Sequence, residues 1–179
     1  MDPDPARPVT ATLRNGLVLA IRAAQPEDRE RVAHAVRGLS RESIYTRLFS
    51  YRNELTDAGL DRIMHFDPER DVFLLATIGA GADEVVAGGG RYVTAGSGAK
   101  TAEVAFVVEE DYQGLGIAGR LMARLVEIAR ARGIVTFEAD VLPGNKAMLA
   151  VFERTGLELQ RRPEDGAVHL TLTLSPRPN

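Results

Sequence analysis

The apolar positions of the chain change period several times, and each change marks an element. Leu17 to Ala23, LVLAIRA, follows an Asn15-Gly16 turn signal and predicts a strand in a short hairpin with Ala11 to Arg14. Pro26, Glu27 and Asp28 then suit a helix start, and Val32, Ala35, Val36 and Leu39 recur at helical spacing. Ser40-x-x-Ser43 opens a second helix toward Phe49, and Thr56 is positioned to cap a third running through Ile63. Period-two and continuous apolar runs follow at Val72 to Ile78, Val85 to Val93 and Ala102 to Glu109. Only the turn-rich GAGADE and TAGSGAK separate them, so these strands should be antiparallel neighbours.

Past the stretch QGLGIAG the period lengthens again. Leu121, Met122, Leu125, Val126, Ile128 and Ala129 form one stripe, Arg124, Glu127 and Arg130 lie opposite, and Gly133 closes the helix. A strand is predicted over Ile134 to Val141, and a helix from Asn145 to Thr155 ended by Gly156. Leu157 to Gln160 and Val168 to Leu174 form a last antiparallel pair. Residues 1–8 read as a disordered tail and 9–175 as a single domain, since no linker interrupts the pattern.

Composition narrows the chemistry. At 179 residues, 45% hydrophobic and 26% charged, the chain suits one globular domain. No apolar run approaches the ~20 residues of a membrane span, and the acidic, proline-rich MDPDPARP is unlike a secretion signal, so a cytoplasmic protein is expected. Cysteine is absent, which removes thiolate nucleophiles. His34, His65 and His169 are dispersed and are read as structural, with no metal expected. A net charge of −3 offers no broad basic field, so nucleic acid is not an expected partner.

QGLGIAG itself contains G-x-G-x-x-G from Gly114 and Q-x-x-G-x-A from Gln113. Either places phosphate on backbone N–H groups at a helix start. A dinucleotide fingerprint needs a strand running almost directly into its first glycine. Here Glu109, Glu110, Asp111, Tyr112 and Gln113 intervene, and too little chain follows Asp140 for a second nucleotide-binding half. Coenzyme A fits better. Gly114, Gly116 and Gly119 remove β-carbons where phosphate oxygens must approach, and Arg120 or Arg124 is placed to reach outer phosphates.

EVAFVVEEDYQGLGIAGRLMARLVEIARARGI followed by ADVLPGNKAMLAVFERTGL resembles the GNAT acetyltransferase superfamily over roughly Val72 to Leu174. Gln113, Gly116 and Ala118 match its Q/R-x-x-G-x-G/A motif. The N-terminal part, with Leu39-Ser40-Arg41-Glu42-Ser43-Ile44-Tyr45-Thr46-Arg47-Leu48-Phe49, more loosely resembles the GNAT domain of bacterial protein lysine acetyltransferases. The resemblance implies an α/β (α+β) GNAT fold: a mixed, mostly antiparallel sheet of about six to seven strands flanked by helices, with strands 102–109 and 134–141 splayed around acetyl-CoA. It implies cofactor contacts from Val107, Val108, Gln113, Gly114, Leu115, Gly116, Ile117, Ala118, Gly119, Arg120 and Asn145, with an oxyanion-binding N–H near Val107.

The implied reaction is transfer of an acetyl group to a primary amine, foremost a protein lysine, by direct attack in a ternary complex. A lysine ammonium must first lose its proton, because its reference pKa of ~10.4 leaves it charged at neutral pH. Glu103, on the face of Ala105 and Val107, is the expected base, weighed against a structural pairing with Arg91. Glu138 stands second, with a buried ion pair as its other use. Tyr45, Arg47 and Phe49 either line the acceptor cleft or pack a helix. One departure stands out: where the family commonly has a tyrosine that protonates the leaving thiolate, this chain has Phe152. A small-molecule amine acceptor and a non-catalytic acyl-CoA-sensing module are the competing readings. Oligomeric state is left open.

Overall fold

The computed structural model describes residues 4–39 and 56–175. The predicted helix from Ser40, and with it Tyr45, Arg47 and Phe49, lies outside the described residues. Eight strands form one sheet in the order β1-β2-β3-β4-β5-β6-β8-β7. In chain order these are β1 (Val9–Thr12), β2 (Val18–Ala23), β3 (Asp71–Ile78), β4 (Val85–Thr94), β5 (Thr101–Val108), β6 (Thr136–Val141), β7 (Glu158–Glu164) and β8 (Ala167–Thr173). Four α-helices are described: α1 (Arg29–Arg37), α2 (Asp57–Met64), α3 (Ile117–Ala131) and α4 (Lys146–Glu153). Every neighbouring pair is antiparallel except β5 and β6.

The sheet has a core on each face, as strand alternation requires. Val72, Leu74 and Ala76 of β3 join Val104 and Phe106 of β5 against Leu121, Met122 and Leu125 of α3. Phe73 and Leu75 face the other way, with Val32 of α1 and Leu60 and Ile63 of α2. Buried on both faces, β3 reads as a continuous apolar run from Val72 to Ala76. α3 approaches closely because the centre of β4 is Gly88-Gly89-Gly90. A β-carbon at Gly90 would lie 2.9 Å from Phe106 Cδ1 and 3.1 Å from Leu125 Cδ1.

Local signals explain the helix boundaries. Thr56 Oγ1 accepts from Gly59 N at 3.0 Å and starts α2, and Asn145 Oδ1 accepts from Met148 N at 3.1 Å and starts α4. A 3₁₀ turn, Pro26–Asp28, leads into α1, with Asp28 accepting from Gln25 N at 2.8 Å. Asp28 is 1% exposed. Burial opposes its ionisation, yet hydrogen bonds from Arg22 and Gln25 and the nearby charges of Arg22 and Arg31 hold its carboxyl below the usual range.

Two strands shift from the sequence expectation. β7 runs to Glu164 rather than Gln160, and β1 lies at Val9–Thr12 rather than Ala11 to Arg14, in a sheet of eight strands where about six to seven were expected. β7 is the sheet edge and mostly exposed, so Arg161, Arg162 and Pro163 carry no alternating apolar signal. The N-terminal residues also touch the domain. Pro5 O accepts from Ala23 N at 3.1 Å, and Asp4 O accepts from Arg124 at 2.9 Å.

Candidate active site

The site begins where β5 and β6 part. Their parallel pairing covers only Thr101–Thr136, Ala102–Phe137 and Glu103–Glu138. Beyond it β5 continues five residues on its β4 partner, and β6 continues to Val141 on β8. A gap therefore opens between them, with Glu103 and Glu138 side by side at its apex. Backbone groups facing such a gap have no strand partner and suit a ligand that binds as an added strand would.

The ladder shows which groups these are. Glu109 N donates to Ala87 O at 2.9 Å, so alternation turns the amide and carbonyl of Val107 toward Gly89 of β4 and those of Val108 toward the gap. Of the two expected backbone contacts, Val107 and Val108, the groups of Val108 are those that face the gap. The Val108 carbonyl already accepts from Gln113 Nε2 at 3.2 Å. Gln113 therefore braces the loop against the end of β5.

The loop turns into α3 through two left-handed glycines, Gly114 at φ 77° and Gly116 at φ 82°, a region that favours glycine strongly. No side chain caps α3, and its first turn presents the N–H groups and partial positive charge of a helix start. A β-carbon at Gly114, Gly116 or Gly119 would meet nothing within 4 Å, so open space lies over these amides. That is the cradle a diphosphate needs. Ile117 is 1% exposed and anchors the turn in the core, so its part here is its backbone. Leu115 and Ala118 are half-buried beside it. Of the two arginines considered, Arg124 is engaged by Glu127 at 2.7 Å and Asp4 O. Arg120 is exposed and forms no ion pair among the described residues.

Glu103 is half-buried on β5, opposite Val93 and beside Glu138. Arg91, its suggested structural partner, donates to Asp71 at 2.9 Å. Glu138 departs from expectation: its side chain is 45% exposed and stands 4.0 Å from His169 Nε2, so it is not a buried ion pair. His169, read as isolated, is brought by the β6–β8 pairing to 2.9 Å from Asp140, with Glu164 at 3.7 Å. Asn145 spends its carboxamide oxygen on the α4 cap. Phe152 is 1% exposed, its ring edge-on to Phe106 at 6.1 Å, so this position is part of the core.

Sequence reasoning missed Glu109. It lies on the same face as Glu103 and Val107, and its carboxyl is raised by burial and by the charges of Asp111 and Glu110, against that of His34. Extending the alternation two residues past Val107 finds it.

A strand pair that splays, followed by a glycine turn into an open helix start, defines a coenzyme A-binding acyltransferase fold. The Acetyltransferase (GNAT) family model matches residues 40–157, and the chain belongs to that family, whose members take the acetyl group from acetyl-CoA. The chain is 36% identical over 149 residues to acetyltransferase Pat of Mycolicibacterium smegmatis, covering 83% of this chain but only 44% of that protein. Among solved structures it is similar to the GNAT domain of S. lividans PAT, with a TM-score of 0.80, 35% identity and coverage of 93% of this chain and 96% of that one. It is also similar to the cAMP-binding acyltransferase from Mycobacterium smegmatis, with a TM-score of 0.65 and 30% identity over 95% of this chain and 48% of that one. The chain thus spans less than half of the full-length Pat it matches. Among the described residues no helix is long and apolar enough to cross a membrane.

Proposed function

We propose that this chain is an acetyl-CoA-dependent N-acetyltransferase whose acceptor is a primary amine, foremost a lysine side chain on a protein. The observation that carries the reading is the uncovered start of α3, with Gly114, Gly116 and Gly119 open in front of it, placed at the mouth of the β5–β6 gap. Family membership and the similarity to Pat support it.

Acetyl-CoA supplies the acyl carbon as a thioester. The amides of Leu115 to Gly119 and the guanidinium of Arg120 hold the diphosphate, and glycine lets the backbone come close. The gap-facing groups of Val108 and the Asn145 NH2 hold the arm in line with the strands, and the Val108 N–H is a donor available to the acyl oxygen. Glu103, at the apex, accepts the proton that the acceptor ammonium must lose, relayed by water along the gap. Attack is direct, in a ternary complex of acetyl-CoA and amine, with no cysteine thiol available as an acyl carrier.

Thiol release from acetyl-CoA, followed with a lysine-containing peptide and a panel of small amines, tests the reading. Turnover that depends on the amine is expected, with the peptide preferred. Binding of acetyl-CoA without turnover on any amine would favour the sensing module, the reading that buried Phe152, which cannot donate a proton, keeps open.

A further inference from the structure

On the α1–α2 face of the sheet, next to Val107, lies a second feature that the cofactor does not account for. A partly open cavity of about 40 Å³ is lined by Val32, Ala35 and Val36 of α1, Ile63 of α2, Phe73 of β3 and the glycines of β4. On a scale where one water needs ~10–15 Å³, it has room for about three waters, or for a chain of a few methylenes. Its walls are hydrocarbon, and Glu109 supplies the carboxylate at its edge.

Glu109 is held there by the fold. Its N–H is bonded to Ala87 O, and its Oε1 reaches the C-cap glycine of α1, standing 3.2 Å from where a β-carbon of Gly38 would be. The groups that act on its charge are His34 from α1 and Glu110 and Asp111 from its own loop, while the β4 wall is Ala87, Gly88 and Gly89. Apolar walls ending in one anionic group are complementary to an alkyl chain ending in one cation.

We infer that this cavity receives the alkyl stem of the amine acceptor and that Glu109 pairs with its ammonium group. The inference rests on the acetyltransferase reading and names the acceptor chemistry: a primary amine on an unbranched chain of several methylenes, as in lysine. The cavity is where the acceptor is first captured, still protonated. Glu103, ~20 Å along the same strand face at ~3.3 Å per residue, takes the proton once the amine has moved past Val107 to the acyl group. Glu109 is a binding residue and Glu103 the base. As pH falls, Glu109 takes up a proton before an ordinary carboxylate would, so the anion is lost and amine binding weakens on the acid side.

The test is titration of the full chain with n-alkylamines from ethylamine to pentylamine, followed by backbone NMR, alongside thiol-release kinetics with acetyl-CoA. The expected result is perturbation of Ala35, Val36, Ile63 and Glu109, with affinity rising about fourfold per methylene until the cavity is full. Glu109→Gln should weaken amine binding and raise the amine KM at least about tenfold, with kcat little changed and the acid-side rise in KM abolished. Ala35→Leu, which fills the cavity without touching the carboxylate, should flatten the chain-length dependence. Perturbations elsewhere, or both variants binding amines as the wild type does, would overturn the inference. Turnover without these effects leaves the acetyltransferase reading standing and this one refuted. Amine binding at the cavity without turnover would make it an amine site but not an acceptor site, and would overturn both readings.

Discussion

Glu103 shows how much a single position can depend on strand geometry. It occupies the last β5–β6 pair before the strands separate, so it sits at the apex of the gap with its backbone paired to Val93 and Glu138. Glu103→Gln keeps size and hydrogen bonding but cannot take the acceptor's proton. Turnover near neutral pH should fall about 10²–10⁴-fold with little change in the acetyl-CoA KM, read by steady-state thiol release. Unchanged turnover would remove Glu103 as the base. Its position was legible from the EVAF alternation. The roles of Glu109 and Glu138 were not: the first looked like one charge in the Glu109-Glu110-Asp111 run, and the exposure of the second depends on how β6 pairs with β8.

At the scale of elements, the period of apolar residues located each described helix and strand within a few positions, and it failed where packing did not need an apolar residue. β7 is such a case. Its outer edge is solvent-facing, and its end is set by the Asp165-Gly166 turn, with both residues at positive φ, 49° and 78°. The ties between elements were also invisible in the pattern. Arg22 of β2 holds Asp28 at 2.7 Å and Glu84, just before β4, at 2.9 Å, joining three segments of distant sequence. Asp28→Asn would leave Arg22 with half of its partners in a poorly solvated site. A loss of about 3 kcal/mol in urea unfolding at neutral pH is expected, because removing one member of a buried pair strands the other. The sign with pH follows from the depressed folded-state pKa: the ionised Asp28 contribution is present above its unfolded value of ~3.9 and is lost as pH falls through the lower folded value. The gap between wild type and variant should therefore close below about pH 4.

For the whole molecule, the sheet order converts short-range signals into a site. The chain lays β1 to β5 down as an antiparallel run and then crosses over through α3 to pair β6 with β5 in parallel. That single crossover places a helix start at one end of a gap and two carboxylates at its apex. The motif Gln113-x-x-Gly116-x-Ala118 made the loop recognisable in advance, whereas the side of β5 on which each amide lies required the ladder itself. The account centres on the open start of α3 as the anchor for coenzyme A. Calorimetric titration of coenzyme A into the wild type and into Ala118→Leu tests this most directly. Leucine is nearly as good a helix former as alanine, so the ligand-free variant should melt within a few degrees of the wild type, but its bulk intrudes on the first-turn amides. The wild type is predicted to bind coenzyme A, and the variant to bind at least about tenfold more weakly. Equal affinity in the two proteins, or no binding by the wild type, would contradict the account.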